Sequence, residues 1–302
     1  MKKVPVSVII TTYNDHSYLE QAVDSVFAQN FMPSEIIIVD DGSNEHISDF
    51  FIQKYVANSL DIDVCFFRKE NGGASSARNF GLNKAKYTYV AFLDVDDKML
   101  PDNLKEKYEL IQCLSDDYFG VYGGSIRSTG KEDLYSDFDG CVNVELIDEP
   151  KIGIPGGSPF YLFNKKSLLE VNGFDEELKC NEDYDILIRL FKNDKKCKGS
   201  TGAGFYRNIR PNSLSRPSDP VKQFKQTMSF LDKTEKLRFY NEEFLNYRRM
   251  VVHLSLVKSV FFKRKYFMAF KFSRKAFEYS KPITLKQKII YIFSFSYIKF
   301  KR

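Results

Sequence analysis

Three carboxylates stand close together in the segment FLDVDD, which runs from Phe92 to Asp97. Asp94, Asp96 and Asp97 follow an apolar run, and acids at the end of a buried strand need compensation by water, a helix start or a cation. The chain has only three histidines, so a metal ion here would be held by oxygen ligands and a general base would be a carboxylate. The segment therefore predicts chemistry based on acids, with metal binding as one form of it.

Polar clusters also follow three other apolar runs, namely TTYN at 11–14, DDGS at 40–43 and NGG at 71–73. Any one of these clusters alone is typical of a turn or a helix cap. In sheets built from alternating strands and helices, however, ligands bind outside the carboxyl ends of the strands. Four polar clusters in succession at such ends therefore predict a ligand site along one edge of a sheet.

The elements that would position these clusters follow from the apolar periodicity. Strands are predicted at 6–12, 35–41, 63–68 and 89–93, with a fifth near 118–123, and helices at 18–29, 47–58, 74–85 and from about 101. Strands that are apolar on both faces and alternate with helices indicate an α/β fold, with a mostly parallel sheet and helices on both faces. Residues 125–160 are predicted to form loops and edge strands that line the crevice.

A second acidic group, Glu182 and Asp183, opens a helix predicted to begin near Asn181. Because the first turn of a helix favours negative charge, these two acids alone are explained by helix-terminal electrostatics. In the preceding loop, Gly157 and Ser158 allow either a close backbone approach to a ligand or an ordinary turn.

Charge divides the chain into two parts. Residues 1–220 carry 25 Lys and Arg against 35 Asp and Glu, whereas residues 221–302 carry 20 against 5. This asymmetry predicts two domains with different partners, at 1–220 and 221–302. The five scattered cysteines favour a reducing compartment, and the lack of a signal peptide or a long apolar stretch predicts a cytoplasmic protein.

The ordered motifs SVIITTYN, EIIIVDDGS, NGGASSARNFGL, FLDVDD and NEDYDILIRL resemble those of family 2 glycosyltransferases with the GT-A fold, over about residues 4–215. The resemblance implies a Rossmann-like GT-A domain that transfers a sugar from a nucleotide-sugar donor with inversion. One departure is Thr11, where the family commonly has proline. A hexosyl- or N-acetylhexosaminyltransferase of bacterial surface polysaccharide synthesis (capsule, O-antigen or lipooligosaccharide) is the implied function.

The resemblance also assigns roles on the donor side. Asp94 and Asp96 correspond to the DxD pair that holds Mn²⁺ or Mg²⁺ with the donor diphosphate, on one face of an extended segment. Asp41 corresponds to the acid that accepts the imide N–H of uracil, which implies a UDP-sugar, and Arg78 to an arginine beside the phosphates. The donor-binding set is completed by residues of the first polar cluster, which are Thr11, Thr12 and Tyr13.

On the acceptor side, the resemblance makes Asp183 the general base. Glu182, Gly157 and Ser158 are expected to shape the pocket for a glycan or a lipid-linked glycan. A weaker motif, from Tyr206 and Arg207 to residues 213–215, resembles one that closes over the donor.

Two other classes of function remain as alternatives. A sugar nucleotidyltransferase would need a basic, glycine-rich loop after the first strand, and TTYND is neither basic nor glycine-rich. A non-catalytic module that binds nucleotide sugars would have no need for both Asp96 and Asp183.

The basic C-terminal part predicts a helical extension that attaches to the anionic cytoplasmic face of a membrane. A helix within 263–279 would place Tyr266, Phe270, Ser273 and Phe277 on one face, and the aromatic run at 289–298 has basic flanks. Alternatively, these aromatic residues pack as a helical subdomain or against a second subunit in a homo-oligomer. Nucleic-acid binding is ranked well below membrane attachment.

Overall fold

The computed structural model describes residues 2–57, 62–128, 133–136, 141–143, 157–208 and 219–296. The described residues up to 208 form one compact unit, and those from 219 onwards form a second. Residues 213–215 of the weaker motif and the last part of the aromatic run at 289–298 lie outside the described residues.

The first unit contains ten described strands and six helices. The strands are β1 (Lys2–Thr12), β2 (Phe31–Asp40), β3 (Asp63–Arg68), β4 (Tyr89–Asp94), β5 (Lys98–Met99), β6 (Tyr118–Ser128), β7 (Asp133–Ser136), β8 (Cys141–Val142), β9 (Tyr161–Asn164) and β10 (Lys196–Asn208). The helices are α1 (His16–Phe27), α2 (Asp49–Ala57), α3 (Ala74–Lys84), α4 (Asn103–Ile111), α5 (Lys165–Glu170) and α6 (Glu182–Lys192).

The described strands form one sheet in the order β3-β2-β1-β4-β9-β6-β10-β5, with β7 beside β6 and β8 beside β10. The pairs β3-β2, β2-β1, β1-β4 and β6-β10 are parallel, whereas β9 runs antiparallel to both β4 and β6. In the register, Thr11 stands beside Asp94 and Thr12 beside Asp40. The carboxyl ends of β1, β2 and β4 therefore meet at one edge, as the sequence predicts.

Helices cover both faces of this sheet. Val8 and Ile10 of β1 belong to the same buried cluster as Leu19 of α1 and Leu104 of α4. Ile9 points to the other face, because successive residues of a strand alternate, and its side chain contacts Gly81 of α3 so closely that a Cβ there would lie 2.5 Å from it. The predicted α/β architecture is confirmed.

Two strands that the sequence analysis did not predict complete the sheet. β9 has only four residues, and Tyr161, Leu162 and Phe163 are fully buried. β10 carries Lys, Gly and Ser in place of a continuous apolar run, so its composition gives little strand signal. Both strands are therefore defined by their pairing with strands that are distant in the sequence, β4 and β6 for β9 and β6 for β10.

The second unit consists of four described helices, α7 (Pro220–Lys236), α8 (Glu242–Phe262), α9 (Tyr266–Tyr279) and α10 (Leu285–Ser296). A three-residue connection joins α8 and α9, which pack antiparallel: Val260 and Ala269 share one apolar cluster, and the Arg249 guanidinium lies 5.8 Å from the ring of Tyr279. Among the described residues, no helix combines the length and the apolar character needed to cross a membrane.

The face that α9 buries includes only Ser273 of the four residues predicted to share one helical face. Ala269, Ser273 and Ala276 are buried, whereas Tyr266 is 57% exposed. The small residues face α8 because they let the two helices approach closely, so the large aromatic residues lie at the margins of the contact. Within this unit α8 buries the aliphatic residues Leu245, Met250, Leu256 and Val260, whereas Phe261 and Phe262 at its end are exposed.

Candidate active site

The loop after β2 is organised around the buried carboxylate of Asp41. Its Oδ1 accepts hydrogen bonds from Lys69 Nζ (2.9 Å) and the Gly72 N–H (3.1 Å), and its Oδ2 accepts them from the Gly73 N–H (2.7 Å) and Asn71 Nδ2 (3.2 Å). A carboxylate offers about four lone-pair positions, so these four donors occupy them all. Asp41 thus holds the NGG loop in place, and a uracil imide would have to replace one of these donors, of which Asn71 is the most distant.

Arg78, one turn into α3, connects the end of β4 with the start of α6. Its buried guanidinium lies 3.0 Å from Asp94 Oδ1, 3.1 Å from Glu182 Oε1 and 3.8 Å from Asp183 Oδ1, and it stacks 5.5 Å from the ring of Phe174. Burial lowers the pKa of Arg78, but the three carboxylates together raise it above its ordinary value, so the side chain stays charged. Arg78 therefore links the acids predicted for the donor side with the one predicted as the base.

Asp183 lies in the first turn of α6 and faces the short 3₁₀ turn at Ser158–Phe160. The Ser158 N–H donates a 3.0 Å hydrogen bond to Asp183 Oδ1. Burial raises the pKa of Asp183 to about 6, and Glu182 adds to this while Arg78 opposes it. Its side chain is still 23% exposed, so an acceptor can reach it. A partly accessible carboxylate with this pKa is ionised at neutral pH and is suited to take a proton.

Gly157 gives the 3₁₀ turn its backbone path. It has φ = 115°, a region that residues with a side chain rarely adopt, and a Cβ there would lie 2.9 Å from the ring of Phe160. The glycine thus lets the chain bring the Ser158 N–H to Asp183. Both residues were predicted for the acceptor side, and the structure adds that the Ser158 N–H holds Asp183.

The DxD segment forms a turn and not the extended segment that was predicted. β4 ends at Asp94, and the Asp97 N–H donates to the Asp94 carbonyl oxygen at 3.0 Å, which closes a turn that contains Asp96. Asp97 is buried and accepts a hydrogen bond from the Asn208 N–H (3.0 Å). Burial, followed by the charges of Asp94 and Asp96, raises the pKa of Asp97 to about 8.

The donor atoms of this turn fit a hard divalent cation. Asp94 is 38% exposed and Asp96 is half-buried, so both offer carboxylate oxygens at the surface of the crevice. Burial is the main cause of the raised pKa of Asp97, and the charges of Asp94 and Asp96 add to it; a cation bound by these two residues would offset their repulsion. The chemistry of these residues therefore agrees with the predicted Mg²⁺ or Mn²⁺.

Several buried polar atoms at the same edge have no hydrogen-bond partner within the described part of the chain. They are Thr12 Oγ1, Ser75 Oγ, Arg78 Nε and Ser158 Oγ. Buried polar atoms without partners are costly, and at a site they are available to a ligand. Ser75 was missed by the sequence analysis, although its place three residues before Arg78 puts it on the same face of α3.

The remaining predicted residues also lie at this edge. Thr11 is half-buried beside Asp94, and Tyr13 is 49% exposed, so its ring is accessible for stacking. Tyr206 and Arg207 lie in β10, where Tyr206 pairs with Lys98 of β5. Asn71 and Lys69 also belong to the site, because both bond to Asp41. The sequence analysis had included Asn71 in the polar cluster NGG but gave no role to Lys69.

Comparisons with known proteins agree with this geometry. The model of the family described as Glycosyl transferase family 2 matches residues 7–171, so the chain belongs to this family. S. aureus TarS (residues 1–349) has a similar structure, with a TM-score of 0.58 at 20% identity over 97% of this chain and 79% of that chain. The GT-A fold is thereby confirmed.

The sequence relatives include glycosyltransferases and a protein of teichoic acid biosynthesis. An uncharacterized glycosyltransferase of Rickettsia bellii is 31% identical over 194 residues, which cover 62% of this chain and 27% of the relative. The minor teichoic acid biosynthesis protein GgaB of Bacillus subtilis is 28% identical over 221 residues, or 69% of this chain and 23% of that protein. The chain spans 58% of a Rickettsia typhi relative, so it matches only part of the length of these proteins.

Proposed function

We propose that this protein is an inverting glycosyltransferase that moves a sugar from a nucleoside diphosphate to a hydroxyl group of a glycan acceptor. The observation that carries the proposal is Asp183, a partly accessible carboxylate with a pKa of about 6, held by Ser158 and joined through Arg78 to Asp94. This arrangement provides a base on one side of the crevice and acids for the donor on the other.

The reaction follows from these positions. The acceptor oxygen forms a bond to the anomeric carbon while the bond from that carbon to the diphosphate breaks. Asp183 takes the proton of the acceptor hydroxyl as its oxygen attacks. Attack from the face opposite the leaving group inverts the anomeric configuration, through a transition state with oxocarbenium character.

Loss of the base tests the mechanism. We expect Asp183→Asn to lower the rate of transfer about 10²- to 10⁴-fold and to leave donor affinity unchanged, because the base acts on the acceptor. Asp194→Asn, an exposed position in the turn after α6, is the matched control and should retain full activity. Near-normal transfer by Asp183→Asn, or loss of donor binding instead of turnover, would contradict the assignment.

The proposed donor is a UDP-sugar, in keeping with a hexosyl- or N-acetylhexosaminyltransferase. A crystal structure of the similar protein S. aureus TarS contains UDP-GlcNAc, and Asp41 here follows the carboxyl end of β2. Competition among UDP, GDP and dTDP for the donor site tests this proposal, and a clear preference for GDP would refute it.

The proposed metal is Mg²⁺ or Mn²⁺ held by Asp94 and Asp96. When bound, the cation would neutralise charge on the leaving diphosphate. Chelation by EDTA and the variant Asp96→Asn should each abolish turnover, whereas Asp116→Asn, an exposed acid before β6, should not. Unchanged turnover after both EDTA treatment and the Asp96 substitution would exclude the metal.

The proposed acceptor is a bacterial surface polysaccharide or its lipid-linked precursor. Support comes from GgaB and from a putative teichuronic acid biosynthesis glycosyltransferase, TuaG of Bacillus subtilis, which is 42% identical over 106 residues (35% of this chain, 41% of that protein). We further propose that the basic second unit holds the enzyme on an anionic, cytoplasmic membrane face, near such an acceptor. Sedimentation of the full-length protein with anionic vesicles at low salt tests this attachment.

A further inference from the structure

The connection between α8 and α9 forms a distinct surface, which we call the α8–α9 tip and define as residues 261–267, with the sequence FFKRKYF. Its aromatic residues are among the most exposed apolar residues described in the chain: Phe261 is 54% exposed, Phe262 74%, Tyr266 57% and Phe267 77%. Four exposed aromatic side chains within seven residues are far from the scattered pattern of an ordinary protein surface.

The fold of the second unit presents these residues outward. The buried cluster of α8 and α9 is formed by Leu256, Val260 and Ala269, so the apolar contact between the helices stops just before the tip. Phe261 and Tyr266 pack edge to face, with ring centroids 5.2 Å apart. Phe262 and Phe267 extend beyond this pair and keep about three quarters of their surface in solvent.

The turn itself is well defined. Arg264 adopts φ = 58°, a left-handed conformation that is uncommon for a residue with a long side chain. Its N–H donates to the Phe261 carbonyl oxygen (2.9 Å), and the Lys265 N–H donates to the Val260 carbonyl oxygen (3.0 Å). These bonds end α8 and fix three exposed cations, Lys263, Arg264 and Lys265, between the two aromatic pairs.

Few acids lie near this charge, and one of them, Asp219 at the start of α7, interacts electrostatically with Lys263. Between residues 244 and 302 the sequence has 15 Lys and Arg and one acid, Glu278. That acid bonds to Lys275 Nζ at 2.6 Å, near the opposite end of α9. The tip therefore combines exposed aromatic rings with an excess of positive charge, three cations against Asp219.

We propose that the α8–α9 tip inserts into the interface of an anionic lipid bilayer and is the principal membrane contact of the second unit. This inference rests on the proposed membrane attachment and specifies the surface responsible. Aromatic rings occupy the boundary between headgroups and acyl chains, while adjacent Lys and Arg side chains are attracted to anionic headgroups. A protein or nucleic-acid partner fits less well, because neither requires two phenylalanines that are about three-quarters exposed, one on each side of three cations.

Tryptophan fluorescence provides a direct test, because the chain contains no tryptophan. We expect Phe262→Trp in the full-length protein to shift its emission to shorter wavelength with phosphatidylglycerol vesicles, and not with phosphatidylcholine vesicles. High salt should weaken the effect by screening the cations. The matched control is Leu237→Trp, which replaces a 51% exposed residue in the connection between α7 and α8 and should show no shift.

Vesicle sedimentation tests the contribution to binding. The charge variant Lys263→Gln/Arg264→Asn/Lys265→Gln and the aromatic variant Phe262→Ser/Phe267→Ser should each bind phosphatidylglycerol vesicles at least about tenfold more weakly. Asparagine at position 264 tolerates the left-handed backbone. The control Lys236→Gln/Arg238→Asn removes two exposed cations, one of them at φ = 53°, and should bind normally. Unchanged circular dichroism and donor hydrolysis would show that the variants are folded.

The outcomes separate the two proposals. If the native full-length protein ignores anionic vesicles at low salt, both are wrong. If both tip variants bind normally while Leu285→Ser/Ile289→Ser on α10 does not, the tip assignment is overturned and membrane attachment stands. A change of oligomeric state in the tip variants with unaltered vesicle binding would likewise overturn it, by showing that the tip contacts a second copy.

Discussion

At the scale of single residues, the site is organised by Arg78 more than by any one acid. A buried guanidinium needs charged partners, and here Asp94, Glu182 and Asp183 supply them. The family resemblance implied that Arg78 lies beside the donor phosphates. The position of Arg78 between the two acidic groups was not predictable, because these contacts join residues 16 to 105 positions apart. The identities of the acids were predictable, but their connection was not.

The pKa of Asp183 gives the reaction a pH dependence with a definite sign. Because the ionised form is the base, kcat/KM should be high above pH 6 and fall about tenfold per pH unit below it. Glu182 raises the pKa of Asp183, so Glu182→Gln should move the acidic limb to lower pH. Glu177→Gln, an exposed control, should leave the profile unchanged, and an acidic limb near pH 4 in the native enzyme would refute the assignment.

Asp41 should matter for stability as well as for the donor. In Asp41→Asn an amide N–H₂ would face donors such as the Gly73 N–H or the Lys69 ammonium, which leaves buried groups unsatisfied at a cost of about 1–3 kcal/mol. We expect a lower urea midpoint together with weaker UDP binding, measured by titration calorimetry. In contrast, Asp63→Asn removes an exposed partner of Lys86 and should change neither quantity much, and equal effects of the two variants would argue against this role.

At the scale of elements, β1 to β4 and their helices were predictable because they are local and strongly apolar. The predicted opening of α6 near Asn181 also agrees with the observed start at Glu182. β9 and β10 were not predictable, because a four-residue strand and a glycine-rich one gain their stability from neighbours distant in the sequence. The turn at Asp94 was missed for a related reason, since Asp97 is fixed by Asn208 of β10.

The 3₁₀ turn before β9 should be sensitive to a single methyl group. Gly157→Ala would force alanine to φ = 115° against the Phe160 ring, at a cost of at least about 1 kcal/mol, and would displace the Ser158 N–H from Asp183. We expect a lower melting temperature and a lower kcat. Gly202→Ala has a similar strain at φ = 98° and should lower the melting temperature alone, so a loss of kcat in both variants would mean that the effect is general.

At the scale of the whole molecule, the two units carry different chemistry. The family model matches residues 7–171, all of them within the acidic part of the chain. The described helices of the second unit lie outside this match, in the part of the chain (residues 221–302) that has 20 Lys and Arg against 5 Asp and Glu. The basic part was predictable as a membrane-binding candidate from composition, but the residues exposed at the α8–α9 tip depend on how α8 and α9 pack.

The position of β9 has a consequence for hydrogen exchange. Tyr161, Leu162 and Phe163 are fully buried, and β9 pairs with β4 on one side and β6 on the other. Gly120 approaches so closely that a Cβ there would lie 2.6 Å from the Leu162 carbonyl oxygen. Amides in such a place exchange only when the whole unit opens. Mass spectrometry should therefore find the peptide 161–164 among the slowest to take up deuterium, and exchange as fast as in the edge strand β3 would contradict this.

Ser158 precedes this strand by three residues, so the N–H that holds Asp183, the proposed base, is close in sequence to the slowest-exchanging part of the first unit. As urea is increased, the loss of turnover should then coincide with the loss of secondary structure and not precede it.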